Sequence, residues 1–308
     1  MDKVQCRRLT LGVEEEFQLL CPGTLALVPG FDQIAACWAG EGTANRETCA
    51  PMARGAVGRR TAASQTVLKT ELHPSCCEVV TKPCATVSEL DSELRSNRHR
   101  LAEVAERKGM AIGLSGTHPL SLWHDLPITR EPRRLDSEYL FQEAHRQCLA
   151  FALHIHVGIP DRPTGLRAVN DARVLIPILY ALSCSSPFLE GRRTGLKSSR
   201  VLRAFGFPRT GIPDPYENVA ELDTQIASMQ SAGLITDAGQ LWWDIRLHHV
   251  YPTIEFRVAD AVPRVQDVTA LAALAQAFVA YLLDAYRRGI AFGPLEPVSY
   301  THLRAHET

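Results

Sequence analysis

Three short segments place acids, paired histidines and an arginine at alternate positions between apolar neighbours. They are Gly12-Val13-Glu14-Glu15-Glu16-Phe17, His154-Ile155-His156-Val157-Gly158 and Thr253-Ile254-Glu255-Phe256-Arg257. Alternation of this kind marks a half-buried strand, in which residues two apart share a face. Glu14 then pairs with Glu16, His154 with His156, and Glu255 with Arg257. A face lined with acids is costly to bury unless cations compensate it, and hard divalent ions with oxygen ligands do so. The simplest chemistry is that of a metal-dependent enzyme. The competing arrangement has Glu14 and Glu16 in solvent; Glu15, which interrupts the apolar set Leu11, Val13 and Phe17, argues against it.

The elements that must carry these residues follow from periodicity and punctuation. Residues 9–20 read as the first strand and 31–39 as a short helix. Residues 40–64, rich in Gly, Ala, Arg and Thr without a period, read as a surface loop. Residues 67–81 are extended and broken by Pro74. A helix follows, with Ser88 as its cap, Glu89 and Asp91 in its first turn, an inward stripe of Leu90, Leu94, Leu101, Val104 and Ala105, and a stop at Lys108-Gly109. Residues 110–116 form a short strand, 136–147 a helix and 150–158 the histidine strand. Residues 164–183 are helical with a kink at Pro177, and 185–215 form a long loop. Residues 241–247 and 252–259 are strands, and Asp267 caps a last helix with Leu271, Leu274, Phe278, Tyr281 and Leu282 inward. Six strands without regular βαβ alternation indicate an α+β fold with an antiparallel sheet.

Further constellations are weaker one by one. Glu71 and Glu78 lie seven apart, the wrong parity for one straight strand; a bend or bulge at Pro74 could bring them to one face, but on this segment alone a solvated pair is the better reading. Gly116-Thr117-His118-Pro119 is either a substrate-contacting turn or an ordinary one. His154 and His156 suit zinc by their spacing, but the acid-rich surroundings suit Mg²⁺ or Mn²⁺ with one supporting imidazole; two structural histidines are the third option. Arg200, in Ser198-Ser199-Arg200, is placed to hold a carboxylate or phosphate, or is a solvated loop arginine. Arg246 and Arg257 each lie two residues from an acid, as intra-strand ion pairs or as arginines beside a metal ligand that reach for phosphate.

The bulk numbers narrow the class. A chain of 308 residues with net charge −1 gives no reason to expect nucleic acid or an anionic membrane as partner. Nine cysteines without a C-x-x-C pattern read as reduced thiols, no apolar leader opens the chain, and the apolar run 174–184 is too short to span a bilayer. A cytoplasmic protein is expected. Residues 298–308, Val-Ser-Tyr-Thr-His-Leu-Arg-Ala-His-Glu-Thr, look like a translated sequencing adapter, so the organisation expected is one catalytic domain over 1–297, cut short at its C-terminus, and an artefactual tail.

Taken in order, G-V-E-E-E-F, T-E-x₆-E-V-V-T, G-T-H-P, H-I-H-V-G, S-S-R, W-W-D-I-R and T-I-E-F-R-V-x-D resemble the carboxylate-amine ligases of the glutamate–cysteine ligase type 2 family, over residues 9–290. The resemblance implies a glutamine-synthetase-like fold: a six-stranded antiparallel sheet with helices on one face and ATP, metal ions and amino acid on the other. It implies Glu14, Glu16, Glu71, Glu78, His156 and Glu255 as the shell for Mg²⁺ or Mn²⁺. Arg257 would contact nucleotide phosphates, Arg246 would assist catalysis, and Thr117, His118 and Arg200 would border substrate or phosphate. The implied reaction is ATP-dependent amide formation between a carboxylate such as that of glutamate and an amine such as cysteine, through an acyl phosphate. A homodimer is compatible with it. The family also carries a C-terminal segment that this chain lacks, so impaired activity is expected. A guanidino phosphotransferase, a non-catalytic ATP- and Mg²⁺-binding remnant and a zinc hydrolase using His154 and His156 are the competing readings.

Overall fold

The structure is a computed structural model and describes residues 9–40, 65–206 and 208–292. The loop expected over 40–64, apart from Gly40, and the tail over 298–308 lie outside the described residues.

The sheet is built around β1 (Leu11–Leu20). Its odd positions Leu11, Val13, Phe17 and Leu19 are buried with the helices, while Glu14, Glu16 and Gln18 occupy the other face. The remaining strands are β2 (Val67–Thr70), β3 (Cys76–Val80), β4 (Ala111–Gly113), β5 (Ala152–Gly158), the pair β6 (Phe188–Leu189) and β7 (Arg192–Arg193), then β8 (Ile245–Leu247) and β9 (Thr253–Asp260). The main sheet runs β2-β3-β1-β5-β9-β8, with β4 on β1, and every pairing is antiparallel. It therefore has seven strands where six were expected. The small β6–β7 hairpin was not anticipated at all.

The helices are α1 (Phe31–Gly40), α2 (Val87–Arg107), α3 (Pro132–Arg146), α4 (Arg162–Ala172), α5 (Ile176–Ser183), α6 (Arg200–Phe205), α7 (Val219–Ser231) and α8 (Val265–Arg287). Helices α2, α4, α5 and α8 bury their apolar stripes against Leu11, Val13, Leu153, Ile155, Val157, Ile254, Phe256 and Val258. Helix α1 joins α2 over Phe17, Leu19, Cys77 and Val79. Helix α8 is long and apolar enough to cross a membrane by length and composition; here it buries Val268, Leu271, Ala272, Ala275, Val279 and Leu282 inside the protein.

Several expectations about boundaries are corrected. The cap of α2 is Thr86, whose Oγ1 accepts from Glu89 N at 3.1 Å while Glu89 Oε2 accepts from Ala85 N at 2.7 Å. This reciprocal capping box satisfies two free amides and outcompetes Ser88. Arg264, not Asp267, is the cap position of α8, and Tyr281 is exposed. Pro177 falls in the first turn of α5, where its missing N–H costs nothing, so the 164–183 stretch is two helices joined by a 3-10 turn at Arg173–Leu175. Helix α7, capped by Asn218, was not anticipated; only its Leu222 is fully buried, with Val219 and Ile226 half-buried in the same cluster.

Candidate active site

The sheet register assembles the acids in rows. Lys69 lies opposite Glu78, and Glu78 opposite Glu16, across β2, β3 and β1. Glu14 faces His154 across β1 and β5. His156 faces Glu255, and Glu255 faces Arg246, across β5, β9 and β8. All point to one face because strand pairs keep side-chain parity. Glu71 lies just beyond β2, in the connection that turns back into β3. The odd spacing of Glu71 and Glu78 is thus resolved by a hairpin. Thr129 fixes that turn, donating from Oγ1 to Glu71 O at 2.6 Å and from N to Leu72 O at 2.8 Å.

All of these side chains except His156 and Thr129 line a cavity of about 320 Å³ that also includes Arg134, Arg200 and Arg257, a size typical of small-molecule sites. Glu14, Glu16, Glu78, His154, His156 and Glu255 are all buried. Three groups of ligand atoms lie within 4.8 Å of one another: Glu14, Glu78 and His154; Glu14, His156 and Glu255; Glu16, Glu71 and Glu78. His156 Nδ1 is 3.1 Å from Thr253 Oγ1, while its Nε2 is buried without a hydrogen-bond partner among the described residues and lies 3.6 Å from Glu14 Oε1. An orphaned imidazole nitrogen beside a carboxylate is what a ligand to an ion looks like before the ion arrives. The donor set, mostly carboxylate with one or two imidazoles, fits Mg²⁺ or Mn²⁺ better than zinc.

The cations of the site are fixed to the acids. Arg246 donates to Glu255 from Nε at 2.6 Å and from Nη2 at 3.2 Å, and from Nη1 to the carbonyls of Gly239 and Leu241. Arg257 donates to the same carboxylate. Arg134 lies 3.0 Å from Glu71, and Lys69 Nζ lies 2.7 Å from Glu78 and 3.2 Å from Glu14. Glu16 differs: it accepts from Ala152 N at 2.7 Å and has no Lys or Arg ion pair among the described residues.

Titration follows this arrangement. Burial would raise Glu14, but the Lys69 ammonium and a hydrogen bond with His154 hold it well below the usual carboxylate range. Burial is likewise overcome at Glu255 by Arg246 and Arg257, and at Glu71 by Arg134. Burial and repulsion from Glu71 push Glu16 up to about 7. Burial and the Glu14 charge push Glu78 well above its ordinary value. Burial and the nearby Arg257 take His154 down to about 4, leaving it a neutral potential ligand.

Of the residues singled out in the sequence, Glu14, Glu16, Glu71, Glu78, Glu255, Arg200, Arg246, Arg257 and His154 come together around the cavity, and His156 does not line it but places a ligand atom within 4.8 Å of Glu14 and Glu255. Arg200 uses its guanidinium to clamp β9, donating to the carbonyls of Arg257 and Val258, both at 2.9 Å. Thr117 and His118 are not among the cavity residues. Thr117 Oγ1 donates to Phe188 O at 2.7 Å, and His118 bridges Leu25 O at 2.8 Å to the amides of Ser121 and Leu120, so both hold a turn. Lys69 and Arg134 were not anticipated. Lys69 alternates with Glu71 in the sequence, a signal that was present; Arg134, on a helix remote in sequence, gave none.

The antiparallel sheet, with helices on one face and the acids on the other, is a glutamine-synthetase-like fold. Two solved structures share it: a bifunctional glutathione synthetase from Pasteurella multocida (TM-score 0.62, 13% identity, 97% of this chain and 41% of that one) and a glutamate–cysteine ligase from Francisella tularensis in complex with AMP (TM-score 0.62, 11% identity, 98% and 70%). The sequence profile described as glutamate-cysteine ligase family 2 (GCS2) matches residues 10–303. A relative named "Putative glutamate--cysteine ligase 2" from Roseiflexus castenholzii is 38% identical over 273 residues, 89% of this chain and 66% of the relative. The chain belongs to glutamate-cysteine ligase family 2. It spans about two thirds of the length of the curated relatives it matches.

Proposed function

We propose that the cavity is the active site of an ATP-dependent carboxylate-amine ligase, joining the γ-carboxylate of glutamate or a similar acid to an amine such as cysteine. The observation that carries this reading is the convergence of Glu14, Glu16, Glu71, Glu78, His156 and Glu255, with Arg257 beside them, on one buried face. The substrate carboxylate attacks the γ-phosphorus of ATP, the bond to the bridging oxygen breaks, and ADP departs. The amine then attacks the acyl phosphate carbon, loses a proton and displaces phosphate. Mg²⁺ or Mn²⁺ held by the six ligands would offset the repulsion between the approaching anions. Arg257 faces the same space and would share the charge on the transferring oxygens, while Arg246 keeps Glu255 ionised and oriented. The chemistry needs no side-chain nucleophile. Cys76 and Cys148 line the cavity, yet burial pushes Cys148 up to about 11 and Cys76 well above its ordinary value, so neither offers a thiolate.

The test is phosphate release from ATP with Mg²⁺ and glutamate against a panel of amines that includes cysteine. Release that requires both the divalent ion and an amine is expected. Phosphate transfer to a guanidine, or ATP binding without amine-dependent release across the panel, would contradict the ligase reading.

A further inference from the structure

Among the cations facing the acids, Lys69 joins exposure to the lack of a carbonyl anchor among the described residues; Arg257 also lacks one, but its side chain is 16% exposed and tied to Glu255. The guanidinium groups of Arg246, Arg200 and Arg134 are each held by backbone carbonyls as well as, or instead of, carboxylates. Among the described residues, the Lys69 ammonium donates to two carboxylates only, at 2.7 Å to Glu78 Oε1 and 3.2 Å to Glu14 Oε1. Those two acids are buried, but the lysine side chain is 44% exposed and stands on β2, the edge strand of the sheet. With His154, the same two carboxylates form one of the three potential ion-holding groups. An ammonium on a flexible stem can leave such a pair for water, where a guanidinium tied to carbonyls cannot without stranding them.

We propose that Lys69 is a tethered cation that occupies the Glu14–Glu78 ligand pair while no divalent ion is bound, and that an ion entering this group must displace it. The inference rests on the metal-binding reading of the site. It makes Lys69 a determinant of ion affinity: the ammonium keeps the buried acids neutralised in the ion-free protein and sets a threshold for filling that position. The ion and the ammonium compete for Glu14 Oε1 and Glu78 Oε1 and repel each other at such distances.

Two measurements test this on the whole chain. Mn²⁺ binding is followed by electron paramagnetic resonance for the native protein and for Lys69→Met, with Lys69→Arg as the variant that keeps the charge. Lys69→Met should bind one Mn²⁺ about tenfold more tightly or better, the effect of removing one nearby like charge, and Lys69→Arg should gain nothing. Independently of any variant, labelling of the native protein with an amine-reactive ester should modify Lys69 several-fold faster in saturating Mn²⁺ than without it, with Lys108 as internal reference. Unchanged or weaker Mn²⁺ binding by Lys69→Met, or Lys69 labelling indifferent to Mn²⁺, would overturn the proposal while leaving the metal site standing. Absence of Mn²⁺ binding in all three proteins would remove both the proposal and the reading beneath it.

Discussion

Glu15 and its neighbours Glu14 and Glu16 are consecutive in the chain and buried alike, yet they meet opposite fates. Glu15 faces the helices, where Arg98 of α2 binds it through Nη2 at 2.6 Å and Nε at 3.2 Å, and the same guanidinium also reaches the carbonyl of Val262 at 2.8 Å. That carboxylate has a complete, rigid partner and forms part of the scaffold. Glu14 and Glu16 face the cavity. Glu14 is held by a lysine that can move and by two histidines, and Glu16 by a single backbone amide. Burial of charge is therefore not itself the mark of a site. Burial with replaceable or missing counterions is.

The comparison can be broken in several places. The largest effect belongs to the cavity side: Glu14→Gln should lower ion-dependent turnover by about a thousandfold or more, because it removes a ligand shared by two ion-holding groups. Turnover within tenfold of the native rate would erase the distinction between the two faces. On the helix side, Arg98→Met should cost about 3 kcal/mol of stability by stranding Glu15, read as a shift in denaturant midpoint, while Mn²⁺ affinity of the folded protein stays unchanged. A smaller effect concerns pH. Burial raises Glu16 to about 7 and Glu78 well above its ordinary value, and a protonated acid cannot ligate. Ion binding must therefore release protons, so Mn²⁺ affinity should be about tenfold higher at pH 7.5 than at pH 6.0. A flat profile would mean that Glu16 and Glu78 are already ionised or are not ligands.

The sequence made the site strands legible because alternation of polar or charged residues with apolar ones is a local signal: histidines alternate with apolar residues in β5, charged residues do so in β9, and in β1 only Glu15 interrupts the pattern. The pairing of Glu71 with Glu78 was not settled by spacing, since a hairpin rather than a bend in one strand brings them together. Helix α7 escaped because its face is mostly solvated, although Asn218 and Glu221 carry the capping signature, with Glu221 N donating to Asn218 Oδ1 at 3.0 Å. The strand expected over 241–247 shrank to β8 because Leu241 gives its carbonyl to the Arg246 guanidinium and Trp243 bridges to Gly211, while Asp244 O still accepts from Arg257 N of β9. Thr117 and His118 illustrate the limit of motif reasoning: a polar turn at a strand end has the same composition whether it serves a ligand or holds itself together.

The most direct examination of the central claim is anomalous diffraction from crystals grown with Mn²⁺ and a non-hydrolysable ATP analogue. At least one manganese peak is expected within about 2.0–2.4 Å of carboxylate oxygens of Glu14 and Glu255, with His156 Nε2 turned towards it. Manganese found only on surface acids, with the Glu14, Glu78 and Glu255 carboxylates still paired to Lys69, Arg246 and Arg257 alone, would contradict the account.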